Sequence, residues 1–212
     1  MRCFLLFLYK LNLKLSQNLS MVGGTLFSRL LFWSHGQRFK CVRSRGIPIL
    51  LINRHGFFSV GNELVLNNTV LSNPIGRVQR CIFFVGRTAE LRIGNAVGIS
   101  SATIVCKKEI TIGDHVLIGG GVCIYDTDFH ALSPVLRSDV KSDTSAAQAR
   151  PVVIQDHVFI GAHSVILKGV TIGRNSIVGA GSVVSHSIPE GEIWGGNPAR
   201  FLKKVPTETQ QP

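Results

Sequence analysis

Acidic residues are scarce in this sequence and unevenly placed: twelve Asp or Glu stand against 23 Lys or Arg, and residues 1–60 hold nine cations and no acid. Such an imbalance suits a nucleic acid, an anionic membrane surface or a phosphorylated substrate. Recognisable nucleic-acid-binding modules are also lacking, so no nucleic acid partner is expected. Long apolar runs are missing as well. The stretch from Cys3 to Tyr9 is too short to span a bilayer, and Lys10 and Lys14 interrupt its continuation. No small-residue cleavage site follows it, which argues against a signal peptide. Close cysteine pairs are absent: Cys3, Cys41, Cys81, Cys106 and Cys123 are odd in number and scattered, which excludes a disulfide framework and a cysteine zinc site. Reduced, structural thiols in the cytoplasm are the expectation.

What the N-terminal region does contain is cations alternating with Phe, Leu and Trp, as in MRCFLLFLYKLNLKL and LFSRLLFWSHGQRFK. Two readings stand together. One is peripheral contact with the inner membrane surface; the other is a helical cap packed on the end of the following domain. Residues 1–35 read as one or two short amphipathic helices separated by Gly23 and Gly24.

Further along, Ile154, Ile160, Ile166, Ile172, Val178 and Val184 stand at intervals of six without a slip. Small or β-branched residues follow each anchor by four: Val158, Ser164, Val170, Ser176 and Ser182. The same frame appears in Ile112, Ile118 and Ile124, and in Ile93, Ile99 and Val105, with an extra residue between Val105 and Ile112. The third position after the anchor is His115, Gly121, His157, His163, Gly169, Asn175 or Gly181, residue types that tolerate positive φ. A 3.6-residue helix would drift off a period of six, and simple strand alternation would not set corner residues so regularly. Short strands joined by tight corners, coiling into a parallel β-helix, satisfy both patterns.

The segments ITIGDHVLIGGGVCI, VIQDHVFIGAHSVILKGVTIGRNSIVGAGSVV and IWGGNPAR resemble the hexapeptide-repeat acyltransferases over roughly Leu91 to Lys204. The resemblance implies an all-β solenoid, a left-handed parallel β-helix, here with a short α-helical N-terminal region and a protruding loop. Its handedness comes from the resemblance, since left-handed crossovers run against the general preference. The expected organisation is a basic cap or membrane-contact region at 1–46, a β-helix domain at 47–204 with a loop at 126–150, and a tail at 205–212. Residues 47–85 read as irregular strands, degenerate first coils of a solenoid whose terminal repeats are atypical.

Seven histidines compete for chemistry, and the repeat removes three, because His115, His157 and His163 already have a backbone reason to stand at corners. His35 and His55 have no identifiable partner, and His186 follows the last clear repeat. His130 lies out of frame at the root of the polar loop, after Asp126 and Asp128 in YDTDFH. In the family a histidine at the start of an extended loop is the general base, and His130 matches it. The implied reaction is acetyl-CoA-dependent O-acetylation of a sugar or surface-polysaccharide precursor, with acetyl-CoA as co-substrate and a homotrimer as the assembly. Asp126 or Asp128 would orient the imidazole or bind the acceptor, or would merely cap a turn.

The resemblance also carries a coenzyme site. Gly161 and Ala162 match the segment facing the pantetheine and thioester, with Ala162 where many relatives have Ser. Ala180 and Gly181 match the groove lining. Ser185 and His186 fall further along the cofactor, His186 where Lys is frequent, and Arg200 with Lys203 and Lys204 matches the basic end that meets the nucleotide phosphates. Ile99 falls where close sugar acetyltransferases place an acceptor-binding Asn, leaving Ser100 and Ser101 as substitutes. Two other readings stand beside this one: a zinc protein like the γ-class carbonic anhydrases, and a non-catalytic β-helix used for assembly. No bound metal is expected under the acyltransferase reading.

Overall fold

The computed structural model describes residues 2–75 and 79–206, with side chains from Leu6 onward. The chain winds into a three-faced parallel β-helix. Its first face stacks β1 (Val42–Arg45), β4 (Leu64–Asn67), β7 (Gly98–Ser100), β10 (Leu117–Ile118), β13 (Phe159–Ile160), β16 (Ile177–Val178), β18 (Glu192–Gly196) and β19 (Ala199–Lys204). The second stacks β2 (Ile49–Ile52), β5 (Ile82–Val85), β8 (Thr103–Cys106), β11 (Cys123–Tyr125), β14 (Val165–Ile166) and β17 (Val183–Val184). The third stacks β3 (Phe57–Val60), β6 (Glu90–Ile93), β9 (Glu109–Ile112), β12 (Val152–Ile154) and β15 (Thr171–Ile172). Neighbouring strands are parallel except the closing β18–β19 hairpin.

The six-residue anchors form interior columns. Ile99, Ile118, Ile160 and Val178 lie in register on the first face, and Ile93, Ile112, Ile154 and Ile172 on the third. All are buried, and each such side chain contributes about 1.5–3 kcal/mol by leaving water. The narrow interior also takes Ser164, Ser176 and Ser182, fully buried with satisfied hydroxyls; Ser164 and Ser182 both donate to the Gly179 carbonyl, at 3.0 and 2.6 Å. All seven expected corner residues have left-handed backbone, including His115 at φ 57°, His157 at 59°, His163 at 62° and Asn175 at 62°.

Three expectations need correction. Ile104, not Val105, is the interior residue of its strand, because Ile104 pairs in register with Ile124 and Phe83. The corner before it is shortened, and Ser101 turns it at φ 47°. Second, the coil begins at Val42, upstream of residue 47, since β1 already pairs with β4. The strands of residues 49–85 are regular members of the same faces. Third, the N-terminal helix is neither short nor divided: α1 (Arg2–Ser34) runs 33 residues straight through Gly23 and Gly24.

The reason the glycines do not break α1 is a close approach. A Cβ on Gly24 would stand 2.5 Å from the Gly46 amide nitrogen. Around that contact, Thr25 donates to the Ser44 carbonyl at 3.1 Å and Arg29 Nε to Val42 O at 3.1 Å. Phe32, fully buried, plugs the end of the coil against Phe58 and Phe83, with ring centroids 5.8 and 6.4 Å away. Cys41, Cys81 and Cys106 are free and buried, and burial pushes the Cys81 thiol up to about 11. Of the expected tail, residues 207–212 lie outside the described residues.

Candidate active site

The repeat breaks between β11 and β12, where the chain leaves the coil at the edge joining the second and third faces. Its root is fastened by Asp126, fully buried, whose carboxylate accepts from the amides of Lys107, Lys108 and Glu109 at 2.7, 2.6 and 2.8 Å. The two stems are joined by a Thr127–Ala149 bridge and by the Asp128 amide donating to Gln148 O at 3.0 Å. Beyond them the excursion is folded, with α2 (Pro134–Arg137) and α3 (Val140–Ala146), the latter capped by Asp139 accepting from the Ser142 amide at 2.8 Å.

That small helix carries Asp143 back to the root. His130 Nδ1 meets Asp143 Oδ2 at 2.6 Å, and the Ala131 amide donates to Asp143 Oδ1 at 2.7 Å. The His130 hydrogen bond, then the Ala131 amide, holds the Asp143 carboxyl below the usual carboxylate range. A carboxylate can only accept, so Nδ1 carries the proton and Nε2 of neutral His130 presents its lone pair. The imidazole is 70% exposed and Asp143 only 15%, which leaves Nε2 open to a substrate. Next to it Phe129 is held at φ 64°, an unfavourable conformation for a bulky residue.

The two aspartates expected to support His130 do other things. Asp126 spends both oxygens on the loop root, and Asp128 pairs with Lys168 at 3.2 Å while its Oδ2 is buried with no hydrogen-bond partner among the described residues. Neither bonds the imidazole; Asp143 does. Sequence reading misses Asp143 because a contact 13 residues away depends on how the excursion folds.

The residues expected to hold a coenzyme fall in a different place. Gly161, Ala162, Ala180 and Gly181 lie on the edge between the first and second faces, where the Gly181 amide donates to Ala162 O at 2.8 Å. There glycines let successive coils pack backbone against backbone, and the edge itself is turned by small residues. A Cβ on Gly119 would stand 2.6 Å from the Ala162 nitrogen, and one on Gly161 2.5 Å from the Ala180 nitrogen. Among the described residues neither Ala162 nor Ala180 donates its amide to a backbone carbonyl. This lane of small residues with two free amides fits a slender chain with hydrogen-bond acceptors.

Toward the helix end the lane turns polar. Ser100 follows Gly119, then Asn67 and Arg45 in register, with Asn67 Nδ2 donating to Ser100 Oγ at 3.0 Å and Arg45 to Asn67 Oδ1 at 3.3 Å. Beside it lies a groove of about 420 Å³ lined by Val65, Asn67, Gly98, Ser100, Leu117 and Phe159. Ile99 and Ser101 are buried beneath and cannot touch a ligand. Ser185 and His186 bond each other at 3.0 Å, exposed at the far end of the second face. Arg200 and Lys203 are exposed on β19 at the closing end of the first face.

His115 and His157 stack ring on ring at 4.8 Å on one edge, while His163 turns another. Among the described residues no group of three or more His, Cys, Asp or Glu is placed to hold a metal ion.

Comparison with known proteins agrees with the architecture. Residues 151–186 match the family model described as bacterial transferase hexapeptide, six repeats. A galactoside O-acetyltransferase of Lactococcus lactis is 38% identical over 103 residues, 49% of this chain and 47% of the relative. The chain thus spans about half the length of the curated relatives it matches. A hexapeptide-repeat acetyltransferase from Vibrio cholerae, crystallised with acetyl coenzyme A, is 38% identical with a TM-score of 0.50 over 55% of this chain and 61% of that one. A mutant N-acyltransferase from Bacillus cereus, in complex with dTDP and coenzyme A, is 25% identical with a TM-score of 0.58 over 79% and 85%. The fold is the left-handed parallel β-helix of the hexapeptide-repeat proteins.

Proposed function

We propose that this hexapeptide-repeat chain is an acetyl-CoA-dependent O-acetyltransferase acting on a hydroxyl of a sugar or polysaccharide precursor. The observation that carries the reading is His130, exposed, with its tautomer set by Asp143 on a coil that also offers a lane of small residues with the Ala162 and Ala180 amides free of backbone partners among the described residues. The relatives named as acetyltransferases support the reaction class, and the structure with acetyl coenzyme A supports the co-substrate.

The chain's own residues divide the work. His130 Nε2 takes the proton of the acceptor hydroxyl as its oxygen attacks the acyl carbonyl, and the imidazolium so formed is stabilised by Asp143. The same proton then goes to the departing thiolate sulfur. Acetyl-CoA supplies the acyl thioester. Gly161, Ala162, Ala180 and Gly181 would hold its arm, the Ala162 amide would donate to the developing oxyanion, and Arg200 with Lys203 would meet the phosphates. Asn67 and Ser100, rather than Ile99 or Ser101, are the polar groups suited to acceptor hydroxyls. A hydroxyl acceptor is favoured because it requires the base that His130–Asp143 supplies.

In one chain His130 and the glycine lane flank opposite edges of the second face. A site using both is completed by a second copy, which supports a homotrimer with sites between subunits. The deciding experiment follows free thiol release from acetyl-CoA with a panel of nucleotide sugars and oligosaccharides, for the native chain and His130→Ala. Release with one acceptor class, lost by about 10²–10⁴-fold in the variant while coenzyme binding persists, is the expected result. Unchanged turnover in His130→Ala would remove the histidine from the mechanism, and no turnover with any sugar would remove the acceptor class.

A further inference from the structure

Helix α1 has one side whose partner is the coil and one side without a partner. Gly24, Ser28 and Phe32 are buried against the coil. On the other side an apolar stripe runs from Leu8 through Leu15, Leu19, Val22 and Leu26 to Trp33, each between 43% and 72% exposed. At about 100° per residue these positions fall within an arc of roughly 60°, and the stripe extends about 38 Å at 1.5 Å per residue. A continuous apolar strip of that length is more than a chain in water ordinarily leaves bare.

Cations frame the stripe. Arg29 and Arg43 line a concavity of about 440 Å³ together with Met21, Val22 and Leu26, and Arg45 joins Arg43 and Met21 in the adjoining one. No acid precedes Glu63 in the sequence. No helix among the described residues is long and apolar enough to cross a membrane.

We propose that α1 lies in the plane of an anionic lipid bilayer, its stripe in the acyl boundary and Arg29 and Arg43 on headgroup phosphates. A second copy of the helix is a poorer occupant. Pairing two stripes would bring two sets of cations together with no acid in this region to offset them, whereas anionic lipid neutralises them. The inference is independent of the acetyl-transfer reading and survives its failure.

Flotation of the full chain with vesicles of phosphatidylcholine alone, and of phosphatidylcholine with phosphatidylglycerol, tests it. The native chain is expected to float with the anionic vesicles and at least about tenfold less with the neutral ones. Leu19→Asp with Leu26→Asp should lose about tenfold or more of that partition with an unchanged melting curve, since both side chains are exposed. Arg43→Glu, which leaves the stripe intact, should also weaken it. Absent flotation of the native chain, native-like flotation of the Leu19/Leu26 variant, or a fall in its oligomeric state by light scattering without lipid would each overturn the proposal.

Discussion

The proton on His130 is positioned by a residue thirteen places away, and that link sets what single substitutions should do. Asp143→Asn replaces an acceptor-only group with one that can also donate, so the tautomer is no longer fixed. Its rate is expected to fall on the order of a hundredfold, mostly in kcat, with KM for acetyl-CoA little changed; an equal rise in KM would indicate a collapsed loop instead. The pH dependence has a definite sign. Because the Asp143 carboxyl is depressed in the folded chain, its stabilising contribution is complete above the ordinary carboxylate value of about 3.9 and disappears as pH falls through the folded value. Loop protection measured by hydrogen exchange should persist at neutral pH and be lost only in acid. At this scale the sequence is half legible. Corner histidines announce themselves through the positive φ their positions demand, but Asp143 is one of several aspartates in an aperiodic stretch, and only the turn of α3 singles it out.

At the scale of elements, the coil is legible because its anchors repeat along the chain, while the continuity of α1 is not, because two glycines stand in its middle. Propensity treats them as breakers; packing makes Gly24 the place where the helix touches the coil backbone. Gly24→Ala therefore tests which effect wins. Alanine gains about 1 kcal/mol in helix propensity, yet its Cβ would press on the Gly46 amide, 2.5 Å away. The clash is with backbone, which cannot swing aside, so urea denaturation should show a net loss of stability. Phe32→Ala should cost more, about 3–5 kcal/mol, because the ring is fully buried and closes the core against Phe58 and Phe83. The slip at Ile104 was hidden for a related reason. TIVC offers two adjacent β-branched aliphatic residues, Ile104 and Val105, and only pairing with Ile124 decides which faces inward.

For the whole molecule, the separation of His130 from the glycine lane becomes a test of assembly. Co-expressed His130→Ala and Ala180→Trp chains, the second blocking the lane at an exposed position and each inactive alone, should form mixed oligomers with restored activity, because some interfaces would join an intact histidine to an intact lane. No recovery in mixed oligomers verified by mass spectrometry would mean that both parts serve within one chain. The same scale limits what sequence could offer: the period of six fixes which residues face inward, but which two edges cooperate depends on how copies meet.

The plug made by α1 and Phe32 at one end, and the β18–β19 hairpin at the other, have a consequence for solubility. Each turn of a β-helix leaves strand edges that match the next turn, so a bare end is a template for another copy of itself. Without residues 1–37 the rim built from β1 to β3 would meet solvent as such a template, and filaments growing lengthwise, visible by electron microscopy, are the expected product. The long helix is thus a stop signal for polymerisation as much as a part of the folded core.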